Sequence, residues 1–378
     1  MMSTSGFQRV NGLKLWVHRF REESAPPSGL TILLLHGFMD AGATWDLVAP
    51  ALARGGHEVV APDLRGFGQS DSVGHGGYYH FPDYVADVAE LVDALAPRRL
   101  AVVGHSMGGT VAALYAGTYP QRVERLALLE GMGPTATEPH LAVDRMASWL
   151  RTLREVPRVP RPLTSLQEAI ERLSLHHPRV PREVIESRAR LLTRANEAGR
   201  LVWAYDPLHR TTAPTPFHAD SFKEFLRRID CPTLVVSGGP TGWHPADEAE
   251  RLACIPHSTR FELPSAGHMM HWTEPSALAE RLFSFFSEAP VQRPRNMASE
   301  PHHVGTELPL SGMPGSVPSV GHVGGQVSRT QMNPNAGSHP QTAGGTVLSR
   351  VAPPAGQVPV GPTRPAAGIP PQGTGNGT

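Results

Sequence analysis

Short apolar runs, separated by amphipathic stretches, dominate the first two thirds of the chain. Thr31-Ile32-Leu33-Leu34-Leu35, Glu58-Val59-Val60-Ala61, Leu100-Ala101-Val102-Val103, Val123 to Leu129 and Thr233-Leu234-Val235-Val236 show little polar alternation. A strand reads this way when both of its faces are covered. Leu13 to His18 predicts an edge strand, and Arg260 to Leu263 predicts a further strand. Helical spacing fills the gaps: Val85, Val88, Leu91, Val92 and Leu95 share one face over Tyr84 to Leu95. Met107 to Gly117 and Ser276 to Phe286 predict two further helices. Strands alternating with helices predict an α/β fold, a mostly parallel central sheet with helices on both faces.

The pattern breaks twice. From 134 to 228 the spacing is helical (Leu166, Ile170, Leu173; Val184, Leu191, Leu192) and predicts no strand, while Pro157, Pro160, Pro162, Pro178 and Pro181 cut it into short pieces. This stretch predicts a helical lid inserted after the sixth strand, between core segments 8–133 and 229–289. Parallel sheets receive ligands at the carboxyl ends of their strands, so such a lid is expected over the site. Residues 291 to 378 contain 15 Gly and 14 Pro, seven charged residues and no Phe, Tyr or Trp. Too little apolar surface is available there to offset ordering entropy, and a disordered Pro/Gly-rich tail is expected over 290–378.

Charge and cysteine content narrow the function. Lys+Arg and Asp+Glu both number 34 in 378 residues, so bulk charge gives no reason to expect nucleic acid or an acidic membrane as a partner. Two cysteines, Cys231 and Cys254, exclude a disulfide scaffold and a four-cysteine zinc site. No apolar run approaches ~20 residues, and Met1 to Val10 has no secretory h-region. A cytoplasmic protein acting on a small molecule is expected; the sequence is silent on oligomeric state.

The strand ending at Val103 runs directly into Gly104-His105-Ser106-Met107-Gly108, which opens a helix. This is G-x-S-x-G in the setting that its chemistry requires. A serine on so sharp a turn stands clear of the sheet, next to unpaired N–H groups at the helix start. Side chains in place of the glycines would collide with the neighbouring strand and helix.

With three further motifs, the chain resembles the α/β-hydrolase superfamily over nearly all of its folded part. These are His36-Gly37-Phe38-Met39 after an apolar strand, Asp63-Leu64-Arg65-Gly66-Phe67-Gly68-Gln69-Ser70-Asp71, and Gly267-His268 followed by Glu274-Pro275. The resemblance implies Ser106 as nucleophile, His268 as base, and the backbone N–H groups of Phe38 and Met107 as oxyanion donors. His271, three residues past His268, is the competing base. The acid departs from the family pattern. Thr241 stands in Ser237-Gly238-Gly239-Pro240-Thr241 where most relatives carry Asp. Some relatives, certain haloalkane dehalogenases among them, take the acid from the end of the strand after the elbow helix, which here is Glu130. Asp247 is the alternative, and a site without an acid the remaining one. Asp63, Arg65, Gly66 and Gly68 have mainly structural readings.

The implied activity is hydrolysis of a carboxylic ester or related acyl substrate through an acyl-enzyme, with no metal and no organic cofactor. Carbon–carbon bond hydrolases, thioesterases and lactonases of the same fold stay open. So does a non-catalytic binding protein, the reading that Thr241 favours. Trp149, Trp203, Phe217 and Phe222 are candidates for an apolar acyl pocket, and from Leu141 to Arg228 basic residues outnumber acidic ones.

Overall fold

The computed structural model describes residues 1–288, so the expected tail at 290–378 lies outside the described residues. The chain begins with a hairpin, β1 (Met2–Val10) and β2 (Leu13–Arg21). Then follow β3 (Leu30–Leu35), α1 (Ala49–Ala53), β4 (Glu58–Pro62), α2 (Phe81–Leu95), β5 (Arg99–His105), α3 (Met107–Thr118) and β6 (Arg125–Leu129). After β6 come α4 (Ala142–Glu155), α5 (Leu166–His176), α6 (Arg182–Leu191), β7 (Thr193–Ala195), β8 (Leu201–Trp203) and α7 (Ala219–Arg227). The last elements are β9 (Thr233–Ser237), α8 (Glu248–Ala253), β10 (Ser258–Glu262), α9 (Met270–Thr273) and α10 (Pro275–Ser287).

Eight strands form one sheet in the order β1-β2-β4-β3-β5-β6-β9-β10. Pairings from β4 to β10 are parallel, whereas β2 runs antiparallel to both β1 and β4. Every residue of β3 is buried, because its two faces meet different helices. Leu33 and Leu35 join one core with Val102, Leu128, Val88 of α2 and Val111 of α3. Ile32 and Leu34 join the other with Val103, Leu129, Leu52 of α1 and Leu282 of α10. Each large aliphatic side chain buried this way contributes roughly 1.5–3 kcal/mol, so the unalternated runs are the source of the layered core.

Two expectations need correction. The edge at the N-terminal end of the sheet is β1, and β2 lies inside it: the fold includes residues from Met2, before the expected start at residue 8. The missed cue is Asn11-Gly12, both at positive φ (47° and 77°), the dipeptide that turns a tight hairpin. Second, the segment between β6 and β9 does contain strands, the three-residue hairpin β7–β8. Pieces that short leave no periodicity to read. The helices of this segment build a core of their own: Leu163, Ile170, Leu173, Ile185 and Leu192 pack with Trp272. Among the described residues no helix is long and apolar enough to cross a membrane.

Candidate active site

Ser106 sits between β5 and α3 at φ 53° and ψ −116°. A non-glycine residue held there stores roughly 1–3 kcal/mol of strain. The surroundings enforce it: the Ser106 N–H donates to the Leu129 carbonyl at 2.9 Å. The turn has no room for side chains. A Cβ on Gly109 would lie 2.5 Å from the Gly131 Cα, and one on Gly108 would strike the carbonyls of Leu35 and His36. A Cβ on Gly37 would come 2.7 Å from His105 Nδ1, so the His-Gly pair is glycine where its loop crosses the elbow.

His268 arrives from the loop between β10 and α9. Its Nε2 lies 3.1 Å from Ser106 Oγ, and its Nδ1 3.0 Å from Glu130 Oε2. Glu130 ends β6 at φ 49° and is almost fully buried. Its Oε1 accepts the Gly238 N–H at 2.6 Å, and its Oε2 also accepts the Trp243 N–H. Burial pushes the Glu130 carboxyl up, but the bonds from His268 and from the Trp243 and Gly238 backbone outweigh it and hold the group below its ordinary value. The loop after β9, the common source of the acid, therefore gives this carboxylate two N–H donors instead of a side chain. Thr241, in that loop, bonds to Arg179. Asp247 pairs with Arg251, its Oδ1 2.7 Å from Nη2, at the start of α8.

Among the described residues nothing accepts the backbone N–H of Phe38 or of Met107. The His36 imidazole anchors the Phe38 loop: its Nδ1 donates to the Gly37 carbonyl at 2.8 Å and its Nε2 accepts the Leu64 N–H at 2.9 Å. His271, the competing base, is fully buried and donates from Nε2 to Asp40 Oδ2 at 2.9 Å. Asp40 also accepts the Ala41 N–H and the Thr44 hydroxyl. Nothing in the sequence pattern singled out this pair. Asp63 accepts the N–H groups of Gly42 and Gln69, and Arg65 grips Asp87 through two nitrogens, so these motif residues brace loops.

Ser106 and His268 open into a cavity of 1440 Å³, whose other walls come largely from the segment between β6 and β9. Trp149, Trp203 and Phe217 line it, as expected. Phe222 does not; α7 turns it into the core beside Leu226 and Ile229. Asp40, His105 and His271 are the one trio among the described residues with metal-ligand chemistry, their ligand atoms spread over up to 4.8 Å. Ligands on a tetrahedral zinc sit ~3.3 Å apart. His271 is already bonded to Asp40, and His105 Nε2 to the His268 carbonyl at 2.7 Å.

A hydroxyl bonded to an imidazole, itself held by a buried carboxylate, is the constellation for nucleophilic acyl chemistry, and the sheet is that of the α/β hydrolases. The profile of the alpha/beta hydrolase fold matches residues 31–275, and the chain belongs to that family. It is 41% identical over 113 residues to a serine hydrolase-like protein of Danio rerio, a match covering 30% of this chain and 34% of that one. It is 28% identical over 274 residues to a 3-hydroxybutyrate-oligomer hydrolase of Cupriavidus necator, covering 70% of this chain and 91% of that one. The thioesterase domain from the curacin biosynthetic pathway superposes with a TM-score of 0.66 at 26% identity, over 75% of this chain and all of that domain.

Proposed function

We propose that this protein is a serine hydrolase that cleaves a carboxylic ester or a related acyl substrate through an acyl-enzyme. The observation that carries the reading is the unbroken relay from Ser106 Oγ through His268 to Glu130, with distances of 3.1 and 3.0 Å, opening into one large cavity. Ser106 Oγ attacks the carbonyl carbon as His268 Nε2 takes the hydroxyl proton. The N–H groups of Phe38 and Met107 receive the developing oxyanion, a preorganised contribution of several kcal/mol. Glu130 stabilises the imidazolium that forms. The imidazolium returns its proton to the leaving alcohol or thiol. Water, deprotonated by His268, then attacks the acyl-enzyme and releases the acid. The helices between β6 and β9 serve as the lid that shapes the acyl site. A thioester fits the same steps, which the likeness to a thioesterase domain supports.

The test is labelling with a fluorophosphonate probe together with turnover of p-nitrophenyl butyrate. The expected result is modification at Ser106, with labelling and turnover both lost in Ser106→Ala while the circular dichroism spectrum is kept. A chain that takes no label at Ser106 and turns over no ester is the non-catalytic binding protein instead.

A further inference from the structure

The cavity wall is not electrically neutral around its far side. Arg145 of α4, Arg172 of α5 and Arg210 all face it, against two carboxylates, Glu130 and Glu138. Glu130 is already committed to His268 and two backbone N–H groups. Among the described residues, neither Arg145 nor Arg210 forms a salt bridge, and the Nε of Arg145 is buried without a hydrogen-bond partner. Arg172 pairs with Glu168 at 2.5 Å but is half exposed. Tyr205 lies on the same wall, and its hydroxyl makes no hydrogen bond among the described residues. Burial raises the Tyr205 pKa, and the positive fields of Arg210 and Arg172, on the same cavity wall, oppose that rise.

Arg145, half-buried with an unpartnered Nε, gains a partner when an anion binds in the cavity, and Arg210, exposed and unpaired, is free to turn onto the same anion. Guanidinium groups match carboxylate and phosphate oxygens bidentately, and a phenol adds a neutral donor. We propose that Arg172, Arg210 and Tyr205 form an anion-recognition subsite, with Arg145 adding its field, and that the preferred substrate carries an anionic oxygen group besides the acyl bond that is cleaved. This rests on the hydrolase reading above and adds the substrate class. The group is a carboxylate on the acyl portion or a phosphate on the leaving group; the subsite chemistry is the same for both.

Two substrate pairs separate the sources. Mono-p-nitrophenyl glutarate is compared with its neutral methyl ester, and S-butyryl-phosphopantetheine with S-butyryl-pantetheine. In the full chain, kcat/KM is expected to favour the charged member of at least one pair by about tenfold or more, the discrimination that one charge-assisted contact supplies. The pair that responds tells which end carries the anion. The ratio is expected to fall towards one in Arg172→Gln/Arg210→Gln, to recover in part with Arg210→Lys, and to shrink as salt rises. Ratios of one or below in both pairs, with the neutral members hydrolysed, overturn the subsite and leave the hydrolase reading standing. If no member is hydrolysed, the hydrolase reading fails, and titration of the full chain with glutarate and with phosphopantetheine by calorimetry decides the subsite. Saturable binding lost in the double variant supports it, and absent binding overturns it.

Discussion

Asp40 and His271 form a fully buried pair, carboxylate to imidazole, across 2.9 Å. It ties the loop that carries Phe38 to α9, the helix entered from His268. Burial lowers the His271 pKa, so the ring is neutral; the bonds from His271 and Thr44 hold Asp40 ionised, well below the usual carboxylate range, against the push of burial. Asp40→Ala strands the His271 N–H and removes three accepted bonds. A loss of about 3 kcal/mol or more is expected in urea unfolding, with Asp40→Asn costing less because its amide oxygen still accepts. An Asp40→Ala protein as stable as the parent would show that the pair carries no such weight.

The backbone of Ser106, at φ 53°, suits glycine. Ser106→Gly is expected to raise stability by about 1 kcal/mol while abolishing fluorophosphonate labelling, because glycine adopts this conformation without strain. Ser106→Ala keeps the Cβ and is expected to leave the melting temperature near that of the parent. Equal melting temperatures for the two variants would mean that the elbow is not strained by its side chain.

Glu130 holds its place through His268 and through the N–H groups of Gly238 and Trp243. Glu130→Gln removes the charge that supports the imidazolium and is expected to lower kcat by about 10²–10⁴-fold with little change in KM. Gly242→Ala reaches the same carboxylate from the other side, since a Cβ there would run into Glu130. It is expected to depress kcat although no residue of the triad is substituted. A Glu130→Gln enzyme with parental kcat would move the acid elsewhere.

Acid should unfold this protein from the histidines first. Burial lowers the pKa of His36, His105 and His271, and pushes His209, stacked 3.9 Å from Phe67, down to about 3. A depressed histidine is neutral in the fold and charged in the open chain below about pH 6.5. Its contribution is present above that pH and is lost as pH falls towards the folded value. Asp40 and Glu130 share the direction, and their contributions fall away below about pH 4. Urea midpoints are thus expected to decline steadily from pH 7 to 4, with a shallower decline in His209→Gln. A flat profile over that range would contradict the burial of these rings.

The order of the main elements was legible in the sequence, because strands covered on both faces read as near-continuous apolar runs, as residues 32–35 of β3, 100–103 of β5 and 126–129 of β6 do. The α/β class and the elbow followed from these runs and from glycines that no other residue can replace at that crossing. Short hairpins were not legible. β7 and β8 are too brief to show a period, and β1 puts mostly exposed residues on an edge, so only Asn11-Gly12 marked it. Two things belonged to the tertiary structure alone. The relation of Thr241, Asp247 and Glu130 to His268 depends on where the β6 and β9 strand ends meet side by side in the sheet, and adjacency in a parallel sheet is not adjacency along the chain. Asp40 and His271, 231 residues apart, met for the same reason. Local composition dictates which segments must be buried; which polar side chains then share a buried space is decided by how the layers close, and the energetic penalty for leaving any of them unpartnered selects the pairs that are found.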